Sequence, residues 1–243
     1  VNGMTWPYLE VEQRRYRFRL LNGCQSRFLI LKMDNDMPFY QIGSEGGFLP
    51  EPVMLNELLI GPAERADVIV DFNDIPVDTN IVMQNIGPDE PFGGGAPGED
   101  FDAADPNTTG QVMQFRVIPS MGPDLSTPPM DLNLPAITPL GVEDNVRQLT
   151  LNEEESASVF VTEDSNGNVV LDCNGGEAFG PKAALLGTLA DGALLWSDEV
   201  TEDPNLGATE LWEIYNFTAD AHPIHIHLIM FEVVNREDAN GIT

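Results

Sequence analysis

From residue 8 to residue 118 the chain runs in short apolar and polar alternations broken by turn residues: YLEVE, RYRFRLLN, FLILKMD, FYQIGSE, VMLNELLIG, ADVIVDF, NIVMQNI and QVMQFRVI. A period of two over stretches this short marks half-buried β-strands, and the absence of long helical periods predicts an antiparallel sandwich or barrel. In RYRFRLLN large apolar and basic residues take turns, so Arg15, Arg17 and Arg19, with Arg14 beside them, are expected on a solvated strand face. Met33, Met37, Met54, Met83 and Met113 fall inside such runs and read as core packing.

Two stretches interrupt the pattern. Residues 87–110 are rich in Gly, Pro and Asp, offer no apolar face and read as a long surface loop. A second stretch, from 119 to 144, follows a completed set of strands and reads as an interdomain linker. The expected organisation is therefore one sandwich over 1–120, a linker over 121–144 and a further β domain over 145–243. In that last part RQLTLNEEE, ASVFVTED, VVLDCNG, ALLWSDE, ATELWEIYNF and HIHLIMFEVVN read as strands, with DSNGN (164–168) a hairpin turn. A sandwich closes with about seven strands, and roughly five or six are in hand, so this domain is expected to be incomplete.

Charge narrows the function. Forty acidic residues against eleven basic ones give a formal net charge of −29, which repels nucleic-acid phosphates and anionic membrane surfaces. Nucleic-acid binding is discarded on that ground. No apolar run approaches the roughly 18 residues a membrane-spanning helix needs, and Val1 opens no signal-peptide pattern. Cys24 and Cys173 lie far apart, without a histidine or second cysteine at metal-site spacing, and are expected to be buried free thiols.

The chemistry concentrates in HPIHIH, residues 222–227, which holds all 3 histidines of the chain. Neutral imidazole is the commonest side-chain metal ligand, and the cluster points to a metal site. Pro223 argues against a helix here. On an extended segment side chains alternate faces, so His225 and His227 share one side and His222 points to the other. One short stretch could then serve two sites. Asp220 and Glu213 are candidates to hold the second ring nitrogen of a ligating histidine. A zinc site in this style usually adds a carboxylate or cysteine ligand at defined spacing, and none is present.

Three motifs in order resemble the multicopper oxidases, in particular the branch with spore-coat laccases and bilirubin oxidases. They are VNGMTWPYLEVEQRRYRFRLLNG, IGSEGGFLPEPVMLNELLIGPAERADVIVDF and TELWEIYNFTADAHPIHIHLIMFEVVNR. The resemblance implies all-β, cupredoxin-like Greek-key sandwiches: a complete middle domain and part of the C-terminal one. It implies a laccase-like activity, with one-electron oxidation of phenolic or aromatic substrates or metal ions coupled to four-electron reduction of dioxygen to water. The implied cofactor is copper, about four ions in a complete enzyme, with blue-copper and cluster sites of the kind imidazole and thiolate support. Within HPxHxH it assigns His222 to the type 1 copper, and His225 and His227 to the trinuclear site, one on the type 2 copper and the other on a type 3 copper; His225 is taken here as the type 2 ligand and His227 as the type 3 ligand.

The paired HxH motifs of the family's first domain and its C-terminal HCH are absent from this sequence. The expectation is a fragment, inactive by itself, whose remaining ligands come from other cupredoxin segments of the same protein or another chain. Its other partners would be dioxygen and a small reductant, with no nucleic acid and no membrane. The family favours an extracellular, periplasmic or spore-surface location. The alternative is a noncatalytic β-sandwich module for assembly or binding, with an unassembled copper motif.

Overall fold

The computed structural model describes residues 1–180 and 182–237 and is built almost wholly from strands, with one 3-10 turn at Pro129–Asp131 and no α-helix among the described residues. No helix there is long and apolar enough to cross a membrane. The chain divides into two compact units: Val1–Ile137 together with the segment from His222 onward, and Thr138–Ala221.

The first unit carries β1 (Tyr8–Glu12), β2 (Arg15–Leu21), β3 (Leu29–Met33), β4 (Phe39–Gly43), β5 (Phe48–Leu55), β6 (Glu57–Ile60), β7 (Arg65–Asp71), β8 (Asn80–Asn85) and β9 (Gln111–Ile118). One sheet runs β1-β9-β8-β3-β6 and the other β2-β7-β4-β5. The buried faces of both supply one core, with Leu31, Met33, Ile81 and Phe115 from the first meeting Phe39, Val68 and Val70 from the second. Phe72, just past β7, stands edge-on to Tyr16 at 5.9 Å and tilted against Phe115 at 5.3 Å. This is the sandwich that the alternation predicts, in the cupredoxin-like form that the resemblance implies, with one correction. The sheet is mixed, because β1 pairs with β9 in parallel. Parallel pairing requires a long return of the chain, and the seven strands between β1 and β9 provide it.

Other expectations need amendment. Met33, Met37 and Met83 are buried, but Met54 is 57% exposed. Arg17 and Arg19 do lie exposed on β2. Arg15 is instead drawn into a network with Asp71 at 2.8 Å and Asp124 at 3.3 Å. Asp124 also accepts from the Arg15 backbone N–H, the Ser126 backbone N–H and the Asn73 amide. Hydrogen bonds from Ser126, then from Arg15 and Asn73, hold its carboxyl well below the usual aspartate range. Its position within the expected linker thus fastens that stretch to β2. The loop over 87–110 is also anchored: Phe92 is buried, 5.1 Å from Phe28 and 5.7 Å from Phe101.

The second unit carries β10 (Asn145–Glu154), β11 (Phe160–Glu163), β12 (Val169–Leu171), β13 (Glu177–Ala178), β14 (Ala183–Thr188), β15 (Gly192–Ala193) and β16 (Glu210–Asn216). These form the sheets β15-β14-β10-β16 and β12-β11-β13. The turn expected at 164–168 joins β11 to β12, closed by Gly167 N–H donating to the Asp164 carbonyl. Among the described residues of this unit only Thr150 and Gly187 are buried. It therefore has strands without an apolar core of its own.

Its central fastening is ionic. Arg147 on β10 grips Glu210 on β16 through Nε at 2.7 Å and Nη2 at 3.0 Å, and Trp212 Nε1 donates to the same carboxylate at 2.9 Å. Hydrogen bonds from Arg147 first and Trp212 second lower the Glu210 carboxyl to about 2. A carboxyl depressed in the folded state contributes stability above its unfolded value of about 4.3 and loses it as pH falls toward the folded value. The β10–β16 pairing should consequently weaken between about pH 4 and about pH 2. Protection factors of the Val146–Thr150 amides, corrected for the intrinsic exchange rate at each pH, should fall across that window in the native chain. In Glu210→Gln the dependence should flatten, and an equally steep dependence in the variant would exclude Glu210 as its source.

Candidate metal centre

The histidine segment is held by two tight turns of the first unit. The first is the β4–β5 connection, where Ser44 N–H donates to the Gly47 carbonyl at 3.0 Å and the strand register shifts between Gln41 and Gly43. Irregularities of this kind re-aim side chains at strand ends, and here Glu45 projects from the loop. The second turn, Gly61 to Glu64, leads into β7. Gly61 N–H donates to Glu64 Oε2 at 2.7 Å, and Glu64 N–H to the Gly61 carbonyl at 3.1 Å. Buried Asn22 ties it down, its amide donating to the Ile60 carbonyl while its backbone exchanges hydrogen bonds with Ala63 and Glu64. Arg65 is the first residue of β7 and follows directly.

Both turns approach the histidine segment where a side chain would obstruct it. A Cβ on Gly61 would stand 2.8 Å from Phe28 Cε1 and 3.1 Å from Pro223 Cβ, and one on Gly46 would stand 2.9 Å from Met230 Cγ. Between these two contacts lies His225. Its Nδ1 is 2.7 Å from Glu45 Oε2 and 3.1 Å from Arg65 Nη1. Arg65 Nη1 is in turn 2.9 Å from Glu45 Oε2, and the Arg65 backbone N–H donates to Glu45 Oε1 at 2.7 Å.

His222 and His227 are exposed and His225 is half-buried. The His225 and His227 rings meet edge to face with centroids 4.8 Å apart. The strand expected over 225–234 is not formed. Residues 221–237 carry no strand pairing, and Leu228, at φ 68°, turns the backbone out of the extended region. A strand persists through its ladder, and this segment has no strand neighbour among the described residues. The last residues of the expected domain, 238–243, lie outside the described ones.

The carboxylate that holds a ligand candidate's second nitrogen is Glu45, for His225. Glu213, one of the two expected candidates, is engaged by Gln148 and Tyr215, and the carbonyl of Asp220 accepts from Asn216. Glu45 and Arg65 sit inside the motifs GSEGG and PAER, but nothing local in the sequence ties them to a histidine 180 or 160 positions on. Both cysteines are free thiols; Cys24 is half-buried and Cys173 exposed, so the expectation of burial fails. Imidazole donors suit copper, and His225 and His227 fit as donors to a shared site. They do not complete one, because no three His, Cys, Asp or Glu side chains gather as a metal site among the described residues.

The model of the family described as multicopper oxidase matches residues 142–242. A laccase of Bacillus stratosphericus is 40% identical over 238 residues, which cover 97% of this chain and 39% of that protein. A solved variant of the McoA multicopper oxidase from Aquifex aeolicus is 35% identical, with a TM-score of 0.51 over 63% of this chain and 32% of its own. A solved laccase from Pediococcus acidilactici, 23% identical, agrees in fold over 88% of this chain and 35% of its own, with a TM-score of 0.53. Over nearly its whole length the chain is similar to multicopper oxidases, and it spans 39% of the length of the Bacillus laccases it matches.

Proposed function

We propose that the chain is part of a laccase-like oxidase that couples one-electron oxidation of phenolic or other aromatic substrates, or of metal ions, to four-electron reduction of dioxygen to water. The observation that carries this reading is the seating of HPIHIH: half-buried His225 is held through Nδ1 by Glu45, with His227 against it. Copper is the cofactor of the family, and the chemistry it supplies is one-electron transfer and dioxygen reduction. His222 is assigned to the type 1 copper, His225 to the type 2 copper and His227 to a type 3 copper. The remaining ligands come from further cupredoxin segments of the same protein or another chain. The absence of an apolar core among the described residues of Thr138–Ala221 supports that arrangement, since sheets that bury no large apolar side chain of their own need a covering layer. Residues 1–120 then correspond to the family's middle domain and 145–243 to the beginning of its third, in a protein placed outside the cell, in the periplasm or on a spore surface.

The competing reading is a noncatalytic module with an unassembled motif, and metal content separates the two. The complete gene product, purified and loaded with copper, should hold about four copper ions per molecule and consume dioxygen when given a phenolic reductant. Retention of no copper, or dioxygen uptake no faster than the reductant alone supports, would reject the oxidase. The present chain with copper added should stay colourless, since neither cysteine has a histidine beside it to complete a blue site.

A further inference from the structure

We propose that Glu45, clamped by Arg65, is the positioning residue that fixes the tautomer of His225 as Nδ1–H and leaves Nε2 as that ring's one open donor atom. Of the facing pair, an ionised carboxylate can only accept, so the 2.7 Å approach of Glu45 Oε2 to Nδ1 calls for a proton on the ring nitrogen. Arg65 removes the other choice. Its guanidinium Nη1 lies 2.9 Å from Oε2 and its backbone N–H donates to Oε1 at 2.7 Å, so both oxygens face donors and serve as acceptors. Arg65 Nη1 also lies 3.1 Å from Nδ1. With Nδ1 protonated that approach is a close neighbour of two donors sharing one acceptor, not a hydrogen bond between them.

The ring has little freedom to leave. Pro223 lies over Gly61 and Met230 over Gly46, two points where even a methyl group would intrude, so the backbone is held on both sides of His225. A ring nitrogen held by a carboxylate also becomes a better donor at its other nitrogen. The proposal deepens the copper reading of His225 and rests on it for what Nε2 would meet; the tautomer itself is a property of the metal-free chain.

The test is nitrogen-15 NMR of the histidine rings in the metal-free chain, at a pH alkaline enough that imidazole is neutral, with His225→Ala to assign the signals. The expected result is a His225 ring protonated at Nδ1 and bare at Nε2. In Glu45→Ala the ring should revert toward the Nε2–H form of a free histidine, and Glu45→Gln, whose amide oxygen can still accept, should restore much of the Nδ1–H form. A wild-type His225 protonated at Nε2 overturns the proposal without recourse to any variant, and so does a Glu45→Ala chain with the wild-type pattern. In the complete gene product, copper content insensitive to His225→Ala would sink the ligand reading. An Nδ1–H ring that depends on Glu45 would stand regardless.

Discussion

Phe72→Ala should destabilise the first unit by about 3–5 kcal/mol, the range for emptying a buried aromatic site. Phe72 is fully buried and touches aromatic rings of both sheets, Tyr16 of β2 and Phe115 of β9. The truncation leaves a cavity where the sheets meet and breaks two ring contacts, each worth roughly 0.5–1.5 kcal/mol beyond the area buried. Domains of this size are stable by only about 5–15 kcal/mol, so the variant is expected to be partly unfolded under mild conditions. Trp196→Ala is the matched control, a larger side chain that is fully exposed, and it should fall within about 0.5 kcal/mol of the parent. A chain with two units need not unfold in one step, so the reporter should be urea-dependent exchange of amides in β2, β7 and β9. Equal shifts in the two variants would mean that the contact between the sheets is not what holds this unit together.

The strands of that unit were legible because each has one face in a core. YLEVE, FLILKMD, ADVIVDF and QVMQFRVI alternate as they do because Val11, Leu31, Met33, Val68, Val70, Phe115 and Val117 must point inward. The second unit shows the reverse. AALLGTLADGALLW is apolar on both sides of a turn at Asp191 and Gly192, and periodicity does not say which half pairs. The apolar run predicts a strand on ALLWSDE, whereas the long pairing partner of β10 is the half before the turn, Ala183–Thr188. With no buried face to satisfy, hydrophobicity carried little directional information there.

The same distinction runs through the site. Its histidines stood out by residue type and spacing alone, whereas Glu45 and Arg65 are ordinary charges until the fold brings them to His225 from 180 and 160 residues away. Their motifs are visible in the sequence and their purpose is not, because a turn signature describes its own backbone and not what docks on it.

Single alanine substitutions in HPIHIH, made in the complete gene product, should separate into two classes. His222→Ala should disturb the blue site and electron entry while leaving much of the trinuclear copper in place. His225→Ala or His227→Ala should deplete trinuclear copper and stop dioxygen reduction, although a reductant could still bleach the blue copper once. Losing an outer partner of a ligand typically costs about 10–100-fold in affinity or activity, so losing a ligand itself should exceed about 100-fold in turnover. The effect should be one of chemistry and not of folding. His222 and His227 are exposed, and removing the His225 ring leaves the Arg65–Glu45 pair intact at 2.9 Å. Thermal unfolding of the metal-free variants should therefore stay close to that of the parent, which separates this outcome from the Phe72→Ala result. Copper stoichiometry and electron paramagnetic resonance on the three variants decide the assignment. If His222→Ala empties the trinuclear site while the other two abolish only the blue signal, the roles are reversed. Three identical losses would mean that the division by position, which rests on the opposite faces of an extended segment, does not hold in a segment without strand pairing.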